Sequence, residues 1–179
     1  EVFHNRLTHT LEVAQIARRV AERFLSEDDG LRPILSPEVA EAAALAHDLG
    51  HPPFGHAGEE EHDACVKKAG NPDGFEGNAQ TFRIITRLAK RRPVSDGLNL
   101  TRATLDAVIK YPWLRQIEGK RHRKFNAYAS ERDEFEWARS LHTPGDDRPT
   151  LEAEIMDWSD DVAYAVHDLY DFFRVHLIP

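Results

Sequence analysis

The sequence predicts an all-α fold, and three observations carry that prediction. Apolar residues recur three and four positions apart through most of the chain, the spacing of one helix face. Those runs are bracketed by helix-starting and helix-stopping residues. No pair of alternating runs is joined by the short Gly- or Asn-containing turn of a β-hairpin. Internal repeats and low-complexity tracts are absent from the sequence.

Taken in order, Val13, Ile16, Ala17, Val20, Ala21 and Phe24 define an amphipathic helix from about Leu7 to Leu25. Ser26–Pro33 reads as a loop. Ser36 and Pro37 then supply an N-cap and a first helical residue, opening a helix to about Leu49 with Gly50 as its stop. The apolar run Ala42–Ala46 predicts burial of this helix on every side. A third helix is expected over Gly58–Ala69, closed by Gly70, and a fourth over Glu76–Arg91 with Phe82, Ile85 and Leu88 facing the core. Thr101–Tyr111 reads as a fifth, ended by Pro112. Pro112–Tyr128 is basic and irregular, Arg132–His142 is helical and exposed, and Thr143–Pro149 has turn chemistry. Thr150 caps a long last helix, Leu151 to about Val175, with Leu151, Ile155, Trp158, Val162, Ala165, Leu169 and Phe172 on one stripe.

Composition narrows the function classes. Hydrophobic residues at 41% and charged residues at 30% describe a globular chain. Cys65 is the single cysteine, so no internal disulfide can form and nothing points to an oxidising compartment. No apolar run approaches the roughly 18 residues of a membrane span, and the cytosol is the default expectation. A net charge of −8 argues against a broad nucleic-acid face. The last helix finishes on apolar residues and neither end carries terminal punctuation. The expectation is therefore one domain over residues 1–179, as part of a longer polypeptide.

Three places carry candidate chemistry. His9 lies four residues before Val13, on the buried stripe of its helix, where a core histidine with a satisfied hydrogen bond is the ordinary reading. Asp48 follows His47 at the end of an apolar helix. There both burial and the helix dipole disfavour negative charge, so a bound cation or an arginine partner is required. Asp160, Tyr164 and Asp168 recur at i, i+4 and i+8 on the last helix, as a solvated acidic face or as one wall of a site. Grouped together, His9, His47, Asp48 and Asp160 offer two imidazoles and two carboxylates. That donor set suits Mn²⁺, Fe²⁺, Co²⁺ or Zn²⁺, with Mg²⁺ also admissible. With no thiolate, it does not resemble a closed structural zinc site.

These residues resemble a known pattern. H…HD…D on helices is the signature of the HD-domain metal-dependent phosphohydrolases. NRLTHTLEVAQIARRVA (Asn5–Ala21), LAHDLGHPPFGHAGEE (Leu45–Glu60), FEGNAQTFRI (Phe75–Ile84) and IMDWSDDVAYAVHDLYD (Ile155–Asp171) are similar to its deoxyguanosine triphosphate triphosphohydrolase subfamily. The resemblance implies an HD-domain helical bundle around a metal site, spanning nearly the whole chain. It implies hydrolysis of a deoxynucleoside triphosphate to the deoxynucleoside and inorganic triphosphate, in a homo-oligomer.

Roles follow from the resemblance residue by residue. His9, His47, Asp48 and Asp160 match the metal ligands, Asp160 being chosen over Asp161 by its spacing to Tyr164 and Asp168. His56 matches the histidine that acts on the scissile phosphate ester, Glu59 the acid that orients it, and His51 a second histidine over the phosphates. Arg6 resembles a phosphate contact. Tyr164 and Asp168 resemble sugar contacts, the ring against the deoxyribose and the carboxylate on the 3′-hydroxyl. Lys110, Tyr111 and Lys124 resemble further phosphate or sugar contacts, and Asn78 a further substrate contact. Competing readings are another HD-domain nucleotide phosphohydrolase, a nucleotide-sensing homologue without turnover, and a helical interaction domain with structural histidines.

Overall fold

The computed structural model describes residues 5–90, 96–116 and 123–177. Seven α-helices and no strand occur among them. Helix α1 (Arg6–Glu27) starts at Asn5, whose side chain accepts from Leu7 and Thr8 N–H while Thr8 reciprocates, a full capping box. Helix α2 (Pro37–Ala46) starts as expected, with Ser36 accepting from Val39 N–H and Pro37 at the first position. Helices α3 (Gly55–Lys68), α4 (Gly77–Arg83), α5 (Arg102–Ala107) and α6 (Arg132–Ala138) are shorter. Thr150 opens α7 (Leu151–Arg174) by accepting from Ala153 N–H.

The core is shared by α1, α2 and α7. Val13, Ala14, Ala17 and Ala21 of α1 meet Ala40, Ala43, Ala44 and Ala46 of α2 and Ile155, Met156 and Ala163 of α7. Alanines dominate these faces, so the backbones approach closely and polar side chains at the helix ends are brought within reach of one another. Phe82 and Ile85 anchor α4 to the same core, and Leu105, Val108 and Ile109 anchor α5 and the turn that follows it.

Several expectations are corrected. Helix α2 stops at Ala46 and not near Leu49, so Asp48 lies in the turn after the helix. The cause is Gly50, whose N–H donates to Thr81 Oγ1 at 2.9 Å and so is drawn towards α4. Nor is α2 buried all round, since Leu45 is 42% exposed. Helix α3 begins three residues before Gly58. Helix α4 passes into a π-helical turn at Ile84–Leu88 and ends with Leu88 exposed, off the core; Arg91, the predicted last residue, lies outside the described residues. Helix α5 ends at Ala107, short of Tyr111. Helix α6 buries Phe135 and Ala138. On α7 the core face is Ala153, Ile155, Met156, Ser159 and Ala163, while Trp158, Leu169 and Phe172 of the predicted stripe are exposed. Ile155 of the predicted stripe is on that face, and the alanines, Ser159 and Met156 that complete it are overlooked by a count of large apolar residues.

The irregular stretch after α5 is held by specific bonds. Asn126 is fully buried; its Oδ1 accepts from Tyr111 N–H at 2.8 Å and its amide donates to Val108 O at 3.4 Å. Trp113 Nε1 donates to Lys124 O at 2.6 Å. Those bonds fix where Lys110, Tyr111 and Lys124 stand. Residues 117–122 of the predicted basic stretch lie outside the described residues.

Candidate metal centre and catalytic cleft

A cleft of about 800 Å³ opens where α1, α7 and the turn after α2 converge. Its lining includes His9, His47, Asp48, His51, His56 and Asp160. The 47–50 turn delivers two of these. Thr81 Oγ1 donates to His47 O at 3.2 Å and accepts from Gly50 N–H, clamping the turn from α4. Only glycine fits at position 50, since a Cβ there would stand 2.1 Å from Thr81 N and 2.3 Å from Gly77 O. Gly77 is constrained in the same way by the His51 ring, 2.7 Å from its would-be Cβ.

His47 donates from Nδ1 to Ala44 O at 2.6 Å. That bond fixes the tautomer and leaves Nε2 as the free ring nitrogen, the arrangement common to metal-ligating histidines. Nε2 lies 3.6 Å from Asp48 Oδ1 and 3.5 Å from Asp160 Oδ1. His9 Nε2 lies 2.9 Å from the same Asp160 oxygen. Donor atoms of His9, His47 and Asp48 fall within 4.8 Å of one another. Among the described residues no lysine or arginine pairs with Asp48, so the arginine partner that the sequence left open does not appear.

The electrostatics follow from this crowding. Burial opposes ionisation of Asp160, yet His47 and His9 hold its carboxyl well below the usual carboxylate range. Burial likewise opposes charge on His47, but Asp160 and Asp48 outweigh it and raise its pKa. His51, 3.3 Å from Asp48, is pushed down, chiefly by burial. His9 Nδ1, His47 Nε2 and His51 Nδ1 are all buried without a hydrogen-bond partner. Buried polar atoms are normally satisfied. The orphaned His47 Nε2, facing Asp48 and Asp160 with His9 Nε2 on the same Asp160 oxygen, belongs to a donor set that a divalent cation would complete, so the residues fit such an ion.

Across the cleft stands a second cluster. His56 Nδ1 lies 3.3 Å from Glu59 Oε2, with the histidine 84% and the glutamate 10% exposed. His56 sits in the first turn of α3 and not on the preceding loop, because Phe54 takes a left-handed conformation, φ 70°, and starts the helix early. Glu59 Oε1 accepts from Gly77 N–H at 2.8 Å. Burial raises Glu59, but that bond, Lys124 and His56 more than reverse it, so its pKa is lowered. Lys124 Nζ reaches both Glu59 Oε2, at 3.2 Å, and Glu76 Oε1, at 3.1 Å.

The other predicted contacts are brought in unequally. Lys110, Tyr111, Tyr164 and Asn78 line the cleft. Lys110 is ion-paired to Asp157, which keeps its pKa above that of an ordinary lysine despite burial. The Tyr164 ring packs on His9, centroids 4.5 Å apart. Arg6 lines the cleft and donates to the carbonyls of His51 and Pro52. Asp168 is exposed and lies outside the cleft lining, one turn beyond Tyr164. The sequence reading missed Thr81, Glu76, Asp157 and His167. His167 continues the Asp160–Tyr164 face at i+7, lines the cleft and contacts Glu12 of α1. Its spacing was the available signal. Asp157, three residues before Asp160 on the same face, carried the same signal, whereas Glu76 and Thr81 carry none.

Comparison with known proteins gives one consistent result. The family model described as HD domain matches residues 6–165. A deoxyguanosinetriphosphate triphosphohydrolase-like protein of Corynebacterium efficiens is 50% identical over 171 residues, 93% of this chain and 37% of that protein. Proteins of the same name from Streptomyces coelicolor and Bifidobacterium longum are 48% and 49% identical, again over 93% of this chain but 37% and 34% of their own length. The chain thus spans little more than a third of these curated relatives.

Proposed function

The chain belongs to the HD-domain family, and from that premise we propose that it hydrolyses deoxynucleoside triphosphates to the deoxynucleoside and inorganic triphosphate. The observation that carries the proposal is the facing of two clusters across one cleft: orphaned imidazoles and carboxylates on one side, the His56–Glu59 pair with Lys124 on the other. The names of the relatives support the same substrate class.

His9, His47, Asp48 and Asp160 would hold the divalent ion. Bound there, it supplies Lewis acidity towards a phosphoryl oxygen. The remaining work falls to side chains of this chain. Arg6, Lys110 and Lys124 bring positive charge to a triphosphate that would otherwise face Asp48, Asp157, Asp160 and Asp161. Glu59 orients the His56 ring through Nδ1, which leaves Nε2 as the atom for proton exchange with the ester oxygen. His51 lines the cleft beside Asp48, where burial disfavours its charged form. The Tyr164 ring, locked on His9, forms the flat surface for a deoxyribose and excludes a 2′-hydroxyl. Asp168, one turn beyond Tyr164 on α7, is the proposed contact to the 3′-hydroxyl.

The proposal is tested by product analysis on paired deoxy- and ribonucleoside triphosphates with Mn²⁺ or Mg²⁺. Inorganic triphosphate from the deoxy series alone is the expected result. Orthophosphate or pyrophosphate would indicate another HD-domain nucleotide phosphohydrolase. Nucleotide binding without any product would indicate a sensing module.

A further inference from the structure

Glu76 is 1% exposed, one of the most buried carboxyls in the protein. Its Oε2 accepts from Ala79 N–H at 3.0 Å and caps α4. The helix needs no more than that, and such caps are ordinarily short exposed side chains. Oε1 does something else. It accepts from Lys124 Nζ at 3.1 Å and from Asn78 Nδ2 at 2.9 Å, and both of those residues line the cleft. The same ammonium reaches Glu59 Oε2 at 3.2 Å and Oε1 at 3.4 Å. Glu59 Oε2 is also the atom that faces His56 Nδ1. One cation is therefore divided between two buried carboxylates, and one of the two serves the histidine.

The consequence is electrostatic. Burying a carboxylate is costly unless its charge is met: burial raises the pKa of Glu76, and the contacts with Lys124, Asn78 and Ala79 N–H oppose that rise, so the charge on Glu76 depends on keeping Lys124. Were Glu76 uncharged, the ammonium would be drawn to Glu59 alone. It would then compete with His56 for Oε2 and leave the side of Asn78. We propose that Glu76 is a positioning residue that acts through Lys124: by sharing the ammonium it keeps Lys124 at the cleft and keeps Glu59 available to His56. This rests on the reading of the cleft as a triphosphate hydrolase site.

A double-mutant cycle on the full chain separates this role from a structural one. Glu76→Gln keeps an oxygen for the α4 cap and removes the charge; Lys124→Met removes the cation and leaves the cap untouched. Two readouts are taken: kcat with KM on one deoxynucleoside triphosphate, and the ring NMR resonances of His56, identified by their loss in His56→Ala. Glu76→Gln is expected to lower kcat about 10- to 100-fold, the scale of a hydrogen bond to a charged group, and to shift the His56 resonances. In the Lys124→Met background it is expected to change neither further. Multiplicative losses in the double variant would overturn the proposal. So would a lower melting temperature with kcat per folded molecule unchanged. Lys124→Met alone should also shift the His56 resonances, and an unshifted ring there overturns the proposal even if Glu76→Gln fails to fold. A wild-type protein that releases no triphosphate rejects the functional reading, whereas the NMR cycle still decides the Glu76 role.

Discussion

His47 has two ring nitrogens and uses them differently. Nδ1 is fixed on Ala44 O, and Nε2 faces two carboxylates without a hydrogen bond. Lone residues of this kind are where sequence reasoning is strong or blind according to spacing. His47–Asp48 announced itself as a charged pair ending an apolar run. Asp160 and Tyr164 announced themselves by a helical repeat. Glu76 and Thr81 carry no such mark, since their importance comes from partners 48 and 34 positions away. Two predictions belong at this scale. His56→Ala should lower kcat by about 10²- to 10⁴-fold, as expected of a general acid–base group, with bound metal retained by elemental analysis. Glu59 titrates below its unfolded value, so its ionised form stabilises the fold above the unfolded pKa of about 4.3 and that contribution is lost as pH falls through the lower folded value. Denaturant unfolding followed down the acid limb should therefore be less pH-dependent in Glu59→Gln than in the parent. An identical limb would show that Glu59 carries no such linkage.

At the scale of elements, the deciding piece is the turn at residues 47–50, directly after α2. Its glycine was legible as a helix stop, but the reason for it was not. A sequence cannot show that Thr81 on α4 would pull Gly50 into a gap where a Cβ meets backbone at 2.1 Å. The same blindness shifted the end of α2 and the start of α3 by three residues each, since tertiary bonds and the left-handed Phe54 set those boundaries. Caps, by contrast, were legible: Ser36 and Thr150 sit where their chemistry places them. Gly50→Ala should destabilise the protein by roughly 1–3 kcal/mol, the usual range for forcing an extra carbon into a packed site. Metal affinity should fall with it, because His47 and Asp48 ride on the displaced turn. Chemical denaturation and metal titration of the variant check both effects; unchanged affinity would mean that the turn does not set the ligands.

For the whole molecule, the fold is a small-residue core that brings the first turn of α1, the turn after α2 and the middle of α7 to one point. The all-helical class was legible because helical periodicity persists along the chain. Of the buried face of α7 only Ile155 was, because alanine, serine and methionine complete it while Trp158, Leu169 and Phe172 stay exposed. No helix among the described residues is long and apolar enough to cross a membrane. A centre at the meeting point of α1, α2 and α7 couples metal binding to folding. Ion present at about 100 times its dissociation constant should add about 2.7 kcal/mol to unfolding stability, and chelation should remove it. The central claim is that His9, His47, Asp48 and Asp160 hold one divalent ion, and equilibrium Mn²⁺ titration followed by electron paramagnetic resonance tests it most directly. The account predicts a single site in the parent chain, lost in Asp160→Ala and kept in Asp161→Ala. An absence of Mn²⁺ binding in the parent, or a site that survives Asp160→Ala and disappears with Asp161→Ala, would contradict it.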